Sequence, residues 1–332
     1  MTMDMDSYRA LVLEKQDEEV IAQVKMLGLN DLPEGDLLIK VAYSSVNYKD
    51  ALACKAGGNI VRSYPFVPGI DLAGVVVSCD SGLYREGDEV LVTGYGLGVS
   101  HYGGYSEYAR VPSEWAVKLP DGLSLKDAMA LGTAGFTAAL SLFELERDGL
   151  SPDKGPLLVT GASGGVGSMA IAIASKLGYE VTASSGKSDM SGYLLGLGAK
   201  RVVSRDEIVS QTSAPLGKQL WAGAVDCVGG KTLATIIASL NYGGAVAASG
   251  MTGGIDLATS VYPFILRGVR LIGIDSVYAQ MEKRLRVWEL LAGRYMLDKL
   301  DVMSEIIELE EVAAYTKRML AGDSRKRMVV KL

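Results

Sequence analysis

The sequence predicts an α/β fold in which a doubly wound parallel sheet is inserted into a second, β-rich domain. Three observations support this prediction. The first 120 or so residues are short strand-like runs, the middle of the chain alternates between strands and helices, and the last residues form one more strand-like run. A chain of 332 residues is long enough for two hydrophobic cores.

The amino-terminal part contains β-branched or alternating runs separated by Gly, Pro and Asp, which is the pattern of a β-rich domain. The sequence EGD occurs twice, at Glu34–Asp36 and within REGDEV at Arg85–Val90, and each copy is a turn that leads into such a run. The pattern changes at Ser124, which we expect to cap a long helix. The strand-like runs are YRALVLEK, DLLIKVAYSSV, DLAGVVVSC, DEVLVTGYG and SEYARVPSEWAVKLP.

The central part alternates between strands and helices, which predicts βαβ units and a parallel sheet of six strands. We assign residues 126–277 to this domain, and residues 1–125 plus 278–332 to the β-rich domain, because the final run KRMVVKL has no partner in the central part. The predicted strands are LLVTGA, EVTASS, RVVSR, AVDCVGG, AVAASG and VRLIGIDSV, and the predicted helices are Val166–Leu177, Met190–Leu197 and Lys231–Leu240.

Composition narrows the range of partners. The net charge of −6 and the pI near 5.1 disfavour a basic groove for nucleic acid. No apolar run approaches the roughly 20 residues that span a bilayer, and MTMDMDSYRA lacks the pattern of a signal peptide. Cys54, Cys79 and Cys227 lie far apart, as is typical of free thiols in a reducing compartment. We therefore expect a cytoplasmic protein with a small-molecule substrate and no nucleic-acid or membrane partner.

The glycine-rich stretch TGASGGVGS, Thr160–Ser168, follows a strand and opens a helix. A pyrophosphate can bind the free amides at such a helix start, where the helix dipole is positive. A Cβ at Gly164 or Gly165 would keep the phosphate away, and Gly167 allows the helix to pack on the strand. A tight turn between two packed elements is the alternative, but the βαβ context favours dinucleotide binding.

The end of the next strand, Val181–Ser188, indicates which dinucleotide is bound. An acid there would bond a ribose hydroxyl and repel a 2′-phosphate, and none precedes Asp189. Ser184 and Ser185 offer hydrogen bonds and Lys187 offers charge, which favours NADPH over NADH. An ordinary polar turn with an exposed lysine is the alternative interpretation.

Other candidates lie at the ends of later strands, where ligands bind to such sheets. Arg205, after the third strand, is a second candidate for contact with the phosphate or adenine. The turns Asp226–Gly230 and Ser249–Gly254 would bring the backbone of Val228 and Met251 toward the nicotinamide half of the cofactor. The alternative is that these are ordinary loops, in which small residues are common.

Six separated segments resemble, in order, the medium-chain dehydrogenase/reductase superfamily, and this resemblance covers essentially the whole chain. The segments are most similar to its zinc-free quinone oxidoreductase branch, in the acrylyl-CoA reductase group. The resemblance implies a GroES-like catalytic domain with an inserted Rossmann domain. The segments are SSVNYKDALA, VPGIDLAGVV, LGTAGFTAA, VTGASGGVGS, PFILRG and GIDSV.

The resemblance also bears on the metal. Zinc relatives carry Cys where this chain has Asn47 and His where it has Ile70, and a catalytic zinc needs three protein ligands. Residues 92–108 contain no Cys, and the single histidine, His101, is read as a loop residue. We therefore expect no metal.

Without a metal, the hydride acceptor must already be electrophilic, as in a quinone or an alkene conjugated to a carbonyl. Hydrogen-bond donors must then stabilise the developing enolate oxygen. We predict Asn47 and Tyr48 as the catalytic residues. The resemblance places Tyr48 against the nicotinamide end, and Asp50 is read as structural. Asp71 stands where relatives have a glutamate near the metal.

The resemblance implies a further set of cofactor contacts. The pyrophosphate would be held by Ser163–Val166, namely Ser163, Gly164, Gly165 and Val166. The 2′-phosphate end would be held by Ser185, Gly186, Lys187 and Arg205. The path toward the nicotinamide would be lined by Met251, Ile265 and Ser276. No carboxy-terminal contact is assigned, and Arg327 is the nearest match.

Three functions remain open: an NADPH-dependent reductase of a short enoyl-CoA such as acrylyl-CoA, an NADPH:quinone oxidoreductase of broad specificity, and an NADPH-binding regulator or sensor with incidental activity. Lys49, Lys55 and Arg62 lie in the region where CoA phosphates would need cations, although solvated side chains explain them equally well. The last strand of the sheet, Leu271–Val277, would form an exposed edge. In the family two such edges pair, so we expect a homodimer.

Overall fold

The computed structural model describes residues 7–211, 214–298 and 300–332. The chain forms two compact units, one of residues 1–133 and 299–332 and the other of residues 134–298. These limits differ from the sequence-based division at 125/126 and 277/278. The segment MTMDMD, which we considered for a leader peptide, lies outside the described residues.

The described part of the chain forms both strands and α-helices. The strands are β1 (Ser7–Gln16), β2 (Glu19–Gly28), β3 (Leu37–Ser45), β4 (Asp71–Cys79), β5 (Glu89–Thr93), β6 (Tyr108–Val111), β7 (Ala116–Lys118), β8 (Leu157–Thr160), β9 (Val181–Ser185), β10 (Arg201–Ser204), β11 (Trp221–Asp226), β12 (Leu240–Ala248), β13 (Arg270–Gly273), β14 (Ser304–Glu308) and β15 (Arg327–Lys331). The α-helices are α1 (Tyr48–Ala53), α2 (Leu125–Arg147), α3 (Gly165–Lys176), α4 (Ser191–Gly196), α5 (Arg205–Val209), α6 (Gly230–Ser239), α7 (Tyr262–Arg267), α8 (Met281–Ala292), α9 (Leu300–Met303) and α10 (Val312–Leu320).

The first unit is β-rich. Its main sheet has the order β14-β15-β3-β4-β5-β7, with β6 also paired to β3, and β1 and β2 form an antiparallel hairpin. The predicted pairing of the last strand is confirmed, because β15 runs antiparallel to β3 with Val330 opposite Ser44. Apolar residues of β3, including Ile39 and Val41, pack with Leu72 of β4 in the core. This sheet positions the ends of β3 and β4, where Asn47 and Asp71 lie.

The second unit contains a parallel sheet of six strands in the order β10-β9-β8-β11-β12-β13. Numbered within the unit, this is the 3-2-1-4-5-6 order of a doubly wound sheet, which confirms the predicted fold. The central strands are buried, as in Leu158 and Ala224, and helix α6 packs on them through Ile236 and Ile237. The reversal of strand order lies between β8 and β11, so the ligand-binding edge lies beyond Thr160 and Asp226.

Strand β13 is shorter than the sequence pattern predicts. It ends at Gly273 instead of continuing to Val277. Two residues later the Asp275 side chain accepts hydrogen bonds from the amides of Val277 and Tyr278, at 2.8 and 3.1 Å. This local turn takes the amides that would otherwise continue the strand. The edge of the sheet is therefore four residues long.

Helix α8 belongs to the second unit, although the sequence analysis assigned residues 278–332 to the β-rich domain. The Trp288 ring stacks on Phe136 of α2, with centroids 5.9 Å apart, and the Arg284 guanidinium lies 5.0 Å from the same Phe136 ring. These contacts join residues some 150 positions apart, which sequence periodicity does not reveal.

Helix α2 is interrupted at Gly132, whose φ of 51° and ψ of −156° are not helical. In the described part of the chain it is the one helix long and apolar enough to cross a membrane, but 89% of its most apolar window is buried inside the protein. That degree of burial is typical of a core helix. At its start, Ser124 Oγ accepts from the Asp127 amide at 3.1 Å, as the predicted cap requires.

Candidate active site

The glycine turn leaves an open helix start. Helix α3 begins at Gly165 with Gly164 as its N-cap, and no acidic residue lies in its first turn. Its first amides have no carbonyl within the helix to bond. A Cβ on Gly164 would meet only the Gly161 carbonyl, at 3.2 Å, whereas a Cβ on Gly167 would collide with that carbonyl and lie 2.8 Å from Ala162 Cα. Gly167 therefore serves packing, and the space before Gly164 suits an anion.

The predicted 2′-phosphate residues meet beside this turn. Ser185 Oγ lies 3.2 Å from Ser163 Oγ and accepts from the Lys187 amide at 3.0 Å. The nearest side-chain atom to a Cβ built on Gly186 is Arg205 Nη2, at 3.6 Å. Two cationic residues and a serine hydroxyl thus lie at one edge of the sheet, at the ends of β9 and β10. This set of donors fits a phosphate.

Asp226 joins the ends of the central strands. Its buried carboxylate accepts from Thr160 Oγ1 at 2.5 Å and from the Gly229 amide at 2.8 Å. Thr160 Oγ1 in turn accepts from the Cys227 amide at 3.2 Å. Burial raises the pKa of Asp226, while these hydrogen bonds lower it. The turn was predicted from the sequence but the role of this carboxylate was not, although an acid that ends an apolar strand at the ligand-binding edge of a sheet indicates such a role.

Met251, Ile265 and Ser276, which were predicted to lie near the nicotinamide, differ from one another in their surroundings. A Cβ on Gly229 would lie 3.3 Å from Met251 Cα, so Met251, 68% exposed, belongs with the loops at the strand ends. Ile265 is 73% exposed on α7. Ser276 follows β13, and its carbonyl accepts from Arg284 at 3.2 Å. No hydrogen bond within the described residues links Ile265 or Ser276 to the glycine turn, and their cofactor contacts stay predictions.

Of the two predicted catalytic residues, Tyr48 is the accessible one. It is the first residue of α1, is 53% exposed, and its hydroxyl has no hydrogen-bond partner in the described part of the protein. Asn47 is only 8% exposed. Its Nδ2 donates to Asp71 Oδ2 at 2.8 Å and more weakly to Ser45 Oγ at 3.3 Å. The expectation that Asn47 orients a substrate carbonyl is therefore not supported, because its donors face the interior.

Asp71 is the centre of a buried cluster of hydrogen bonds, which we call the Asp71 cluster: Ser45, Asn47, Asp71, Thr133 and Arg327. In addition to the hydrogen bond from Asn47 Nδ2, Asp71 accepts hydrogen bonds from Ser45 Oγ at 2.6 Å, from the Thr133 amide at 2.9 Å and from Thr133 Oγ1 at 2.5 Å. Arg327 donates to Ser45 Oγ at 2.9 Å. Burial lowers the pKa of Arg327, and Asp71 opposes that shift.

Arg327 is therefore a buried member of this cluster, 6% exposed, rather than the carboxy-terminal cofactor contact for which it was the nearest match. Next to the cluster, Asp50 accepts from the amides of Asn47 and Ile70, at 2.8 and 2.9 Å. Burial and the nearby Asp71 raise the pKa of Asp50 to about 7. These contacts agree with its interpretation as structural.

The residues at the zinc positions do not fit a metal. Asn47 gives its amide hydrogens to Asp71 and Ser45, and Ile70 presents a buried hydrocarbon side chain. His101 Nε2 lies 2.7 Å from the Arg110 carbonyl. Across residues 7–211, 214–298 and 300–332, no group of three or more His, Cys, Asp or Glu side chains could hold a metal ion. We derive no step through a metal.

A β-rich unit that contains the first and last described strands, together with a doubly wound unit that presents a glycine turn, defines the architecture of the medium-chain dehydrogenases. Comparison with family models agrees. Residues 33–121 match the alcohol dehydrogenase GroES-like domain, and residues 165–292 match the domain described as zinc-binding dehydrogenase.

Comparison with individual proteins shows to which branch of this family the chain is most similar. The chain is 52% identical to the putative quinone oxidoreductase YhfP of Bacillus subtilis, over 98% of this chain and 99% of that protein. The solved structure of YhfP with NAD bound has a TM-score of 0.96 to this chain, covering 98% and 99% of the two chains. The acrylyl-CoA reductase AcuI of Ruegeria pomeroyi is 48% identical over 97% of this chain and 98% of its own length.

The YhdH oxidoreductase of Salmonella enterica in complex with NADP is 47% identical, with a TM-score of 0.95 and coverage of 98% and 99%. The chain belongs to the zinc-free quinone oxidoreductase branch of the medium-chain dehydrogenase/reductase superfamily, in the group of the acrylyl-CoA reductases. The predicted resemblance is confirmed.

Proposed function

We propose that this protein is an NADPH-dependent reductase that transfers a hydride to the conjugated double bond of a short enoyl-CoA, such as acrylyl-CoA, without a metal. The observation that carries this proposal is the nearly full-length similarity, at 48% identity, to a protein named acrylyl-CoA reductase. The accessible Tyr48 hydroxyl and the open helix start of α3 support the proposal, because the first could donate to an oxyanion and the second could bind a pyrophosphate.

NADPH would supply the hydride when bound. The first-turn amides of α3, with Ser163, would hold the pyrophosphate, and Ser185, Lys187 and Arg205 would hold the 2′-phosphate. The position of Arg205 beside Gly186 supports the phosphorylated cofactor, as does the lack of an acid at the end of β9. Among the relatives, the Salmonella protein was solved with NADP and the Bacillus protein with NAD, so this choice needs a direct test.

Tyr48 would donate a hydrogen bond to the thioester oxygen, on which negative charge develops as the β-carbon accepts the hydride. The α-carbon needs no buried acid, because solvent water can protonate it. Asn47 would act through Tyr48 rather than on the substrate, because its side-chain amide donates a hydrogen bond to Asp71. Tyr48 is therefore the one residue of the predicted pair that we place against the substrate.

A quinone is the second candidate substrate, because the 52% identical relative is named a putative quinone oxidoreductase. The two are separated by measuring NADPH oxidation in parallel with acrylyl-CoA, crotonyl-CoA and a small benzoquinone. We expect acrylyl-CoA to give the highest kcat/KM. A higher value for the quinone would favour the second candidate. Tight NADPH binding with no turnover of any of the three would favour a regulator or sensor.

The same assay tests Tyr48. Tyr48→Phe should lower kcat/KM for acrylyl-CoA about 10- to 100-fold, below the full effect of a buried oxyanion donor because this site is half exposed. Tyr242→Phe is the matched control, since Tyr242 is also an exposed tyrosine, 78%, in the other unit. Equal activity of wild type and Tyr48→Phe would exclude this role.

We also propose a homodimer through β13 and a cytoplasmic location. Strand β13 has a four-residue edge and includes the exposed Leu271, further exposed apolar side chains precede it in the chain, and a second copy is the partner that a symmetric edge pairing would take. Sedimentation velocity at micromolar concentration tests this, and a monomer would refute it. The free cysteines support a reducing compartment. The exposed apolar side chains are Met251, Ile255, Val261, Tyr262, Ile265, Leu266 and Leu271.

A further inference from the structure

We infer that Asp71 is a positioning residue for the proposed reaction: its carboxylate fixes the start of helix α1, and thereby the direction in which Tyr48 leaves the backbone. This inference rests on the proposed function and deepens it. It assigns a task to the hydrogen bonds of the Asp71 cluster, of which one member, Asn47, stands where the zinc relatives carry Cys.

Several hydrogen-bond donors converge on the Asp71 carboxylate. Asp71 accepts four hydrogen bonds, from Ser45 Oγ, Asn47 Nδ2, the Thr133 amide and Thr133 Oγ1, at 2.5 to 2.9 Å. The side chain is fully buried. A buried carboxylate with four donors has one orientation, because each donor would lose its partner if the carboxylate rotated.

Hydrogen bonds connect Asp71 to the residue that precedes Tyr48. Asn47 is the N-cap of α1 and directly precedes Tyr48 in the chain. Asp71 holds the Asn47 side chain, and Asp50 Oδ2 holds the Asn47 backbone amide at 2.8 Å. The residue before Tyr48 is thus fixed on both its side chain and its backbone, so that the Cα–Cβ direction of Tyr48 is fixed as well.

The Asp71 cluster is closely packed on the side of helix α2. A Cβ on Gly132 would lie 2.6 Å from Asp71 Oδ2, 2.7 Å from Ser45 Oγ and 3.0 Å from Arg327 Nη2. The kink in α2 therefore packs its backbone directly against the carboxylate, and the next residue, Thr133, supplies two of the four donors. Arg327 offsets the negative charge through Ser45. Close packing on this side leaves Asp71 little freedom to adopt another rotamer.

The experiment is a double-mutant cycle between Asp71→Asn and Tyr48→Phe. The four groups that bond the Asp71 carboxylate come from three residues and all donate. Asparagine offers them one acceptor oxygen in place of two and no negative charge, so their hydrogen bonds weaken and the start of α1 loosens. We expect Asp71→Asn to lower kcat about 10-fold or more in the wild-type background, with a smaller change in KM, and to change kcat less than 3-fold in the Tyr48→Phe background. The same loss in both backgrounds would overturn the inference.

Asp36→Asn is the matched control. Asp36 accepts from the Ser113 amide and from Ser113 Oγ, both at 2.7 Å, as Asp71 does from Thr133. It precedes β3, whereas Ser45 ends that strand. Asp36→Asn should lower stability but leave kcat within 2-fold. If it lowers kcat as much as Asp71→Asn, a general loss of stability explains both and the inference fails.

A second measurement does not depend on activity or on Asp71→Asn folding fully. Asn47→Ala removes the hydrogen bonds of the Asn47 side chain to Asp71 and Ser45 and leaves the other hydrogen bonds of the cluster in place. Hydrogen exchange of the amides in residues 47–53 should quicken at least 10-fold in Asn47→Ala and in Asp71→Asn, but not in Asp36→Asn. Unchanged exchange in both variants would overturn the inference. If the wild type reduces no enoyl-CoA, the proposed function fails, and the exchange data alone decide whether Asp71 orders this segment.

Discussion

Replacing Arg205 with glutamine tests the cofactor assignment directly. Arg205 is the first residue of α5, whose N-cap Ser204 accepts from the Glu207 amide, so the position of its backbone is fixed. Its guanidinium lies beside Gly186, with Cζ 3.8 Å from the place of a Cβ. No ion pair holds Arg205 among the residues that the structure describes. It is therefore available to a phosphate at the end of β9.

The expected magnitude follows from the strength of such a contact. A hydrogen bond to a charged group contributes about 1.5–3 kcal/mol, and each 1.4 kcal/mol corresponds to a tenfold change in Kd. Because Arg205 is exposed, solvent screens the contact and the lower part of this range applies. Arg205→Gln should therefore weaken NADPH binding about 10- to 30-fold at low salt and less at high salt. NADH binding should stay within about 2-fold, because NADH has no 2′-phosphate.

The assay is a fluorescence titration with NADPH and with NADH at two salt concentrations. Arg201→Gln is the control, because Arg201 is also an exposed arginine in this region but its guanidinium pairs with Glu207. That variant should bind both cofactors like the wild type. Equal weakening of NADPH and NADH in Arg205→Gln, or the same loss in Arg201→Gln, would refute the assignment of the phosphate site.

Other changes give further tests. Lys187→Glu should weaken NADPH much more than NADH in the same titration, and equal losses would contradict its contact with the phosphate. Gly167→Ala should abolish binding of both cofactors and lower the thermal midpoint, because its Cβ would collide with the Gly161 carbonyl; a variant that melts and binds like the wild type would show that this contact relaxes easily. The pKa of Asp50 is raised from 3.8 to about 7, so its ionisation destabilises the folded state as pH rises from about 4 to about 7. Asp50→Asn should reduce that decline in the urea midpoint measured at pH 5 and pH 8, and an unchanged decline would mean that other groups, not Asp50 beside Asp71, cause it.

The features that the sequence predicted are local ones. The glycine turn, the strand that precedes it and the helix it opens lie within some twenty residues, and each residue type has a geometric reason that can be read without a partner. The alternation of strands and helices likewise predicted the six-stranded sheet. The Asp275 turn that follows β13 is also local but was not predicted, although an aspartate that accepts a hydrogen bond from the amide two residues later is an ordinary turn signal.

The features that the sequence did not predict depend on distant contacts. Thr133 and Asp71 are 62 positions apart, and Arg327 and Ser45 are 282 apart. Nothing in the pattern around Asn47 shows that its amide faces a carboxylate, so its assignment to the substrate was reasonable from sequence and unsupported by the structure. The boundary of the second unit shifted for the same reason, because the stacking of Trp288 on Phe136 involves two distant helices.

The chemistry available to this site limits the substrates that we expect. A single tyrosine hydroxyl at a half-exposed position stabilises an oxyanion far less than a bound metal ion does, because solvent screens it. Reduction of a simple ketone places the full charge on an alkoxide and would depend heavily on that stabilisation. Reduction of an alkene conjugated to a thioester spreads the charge over the enolate, so one hydrogen bond and a fixed geometry can suffice. The proposed positioning of Tyr48 by Asp71 would therefore matter more here than it would beside a metal, and the protein should reduce enoyl thioesters while leaving simple aldehydes and ketones unreacted.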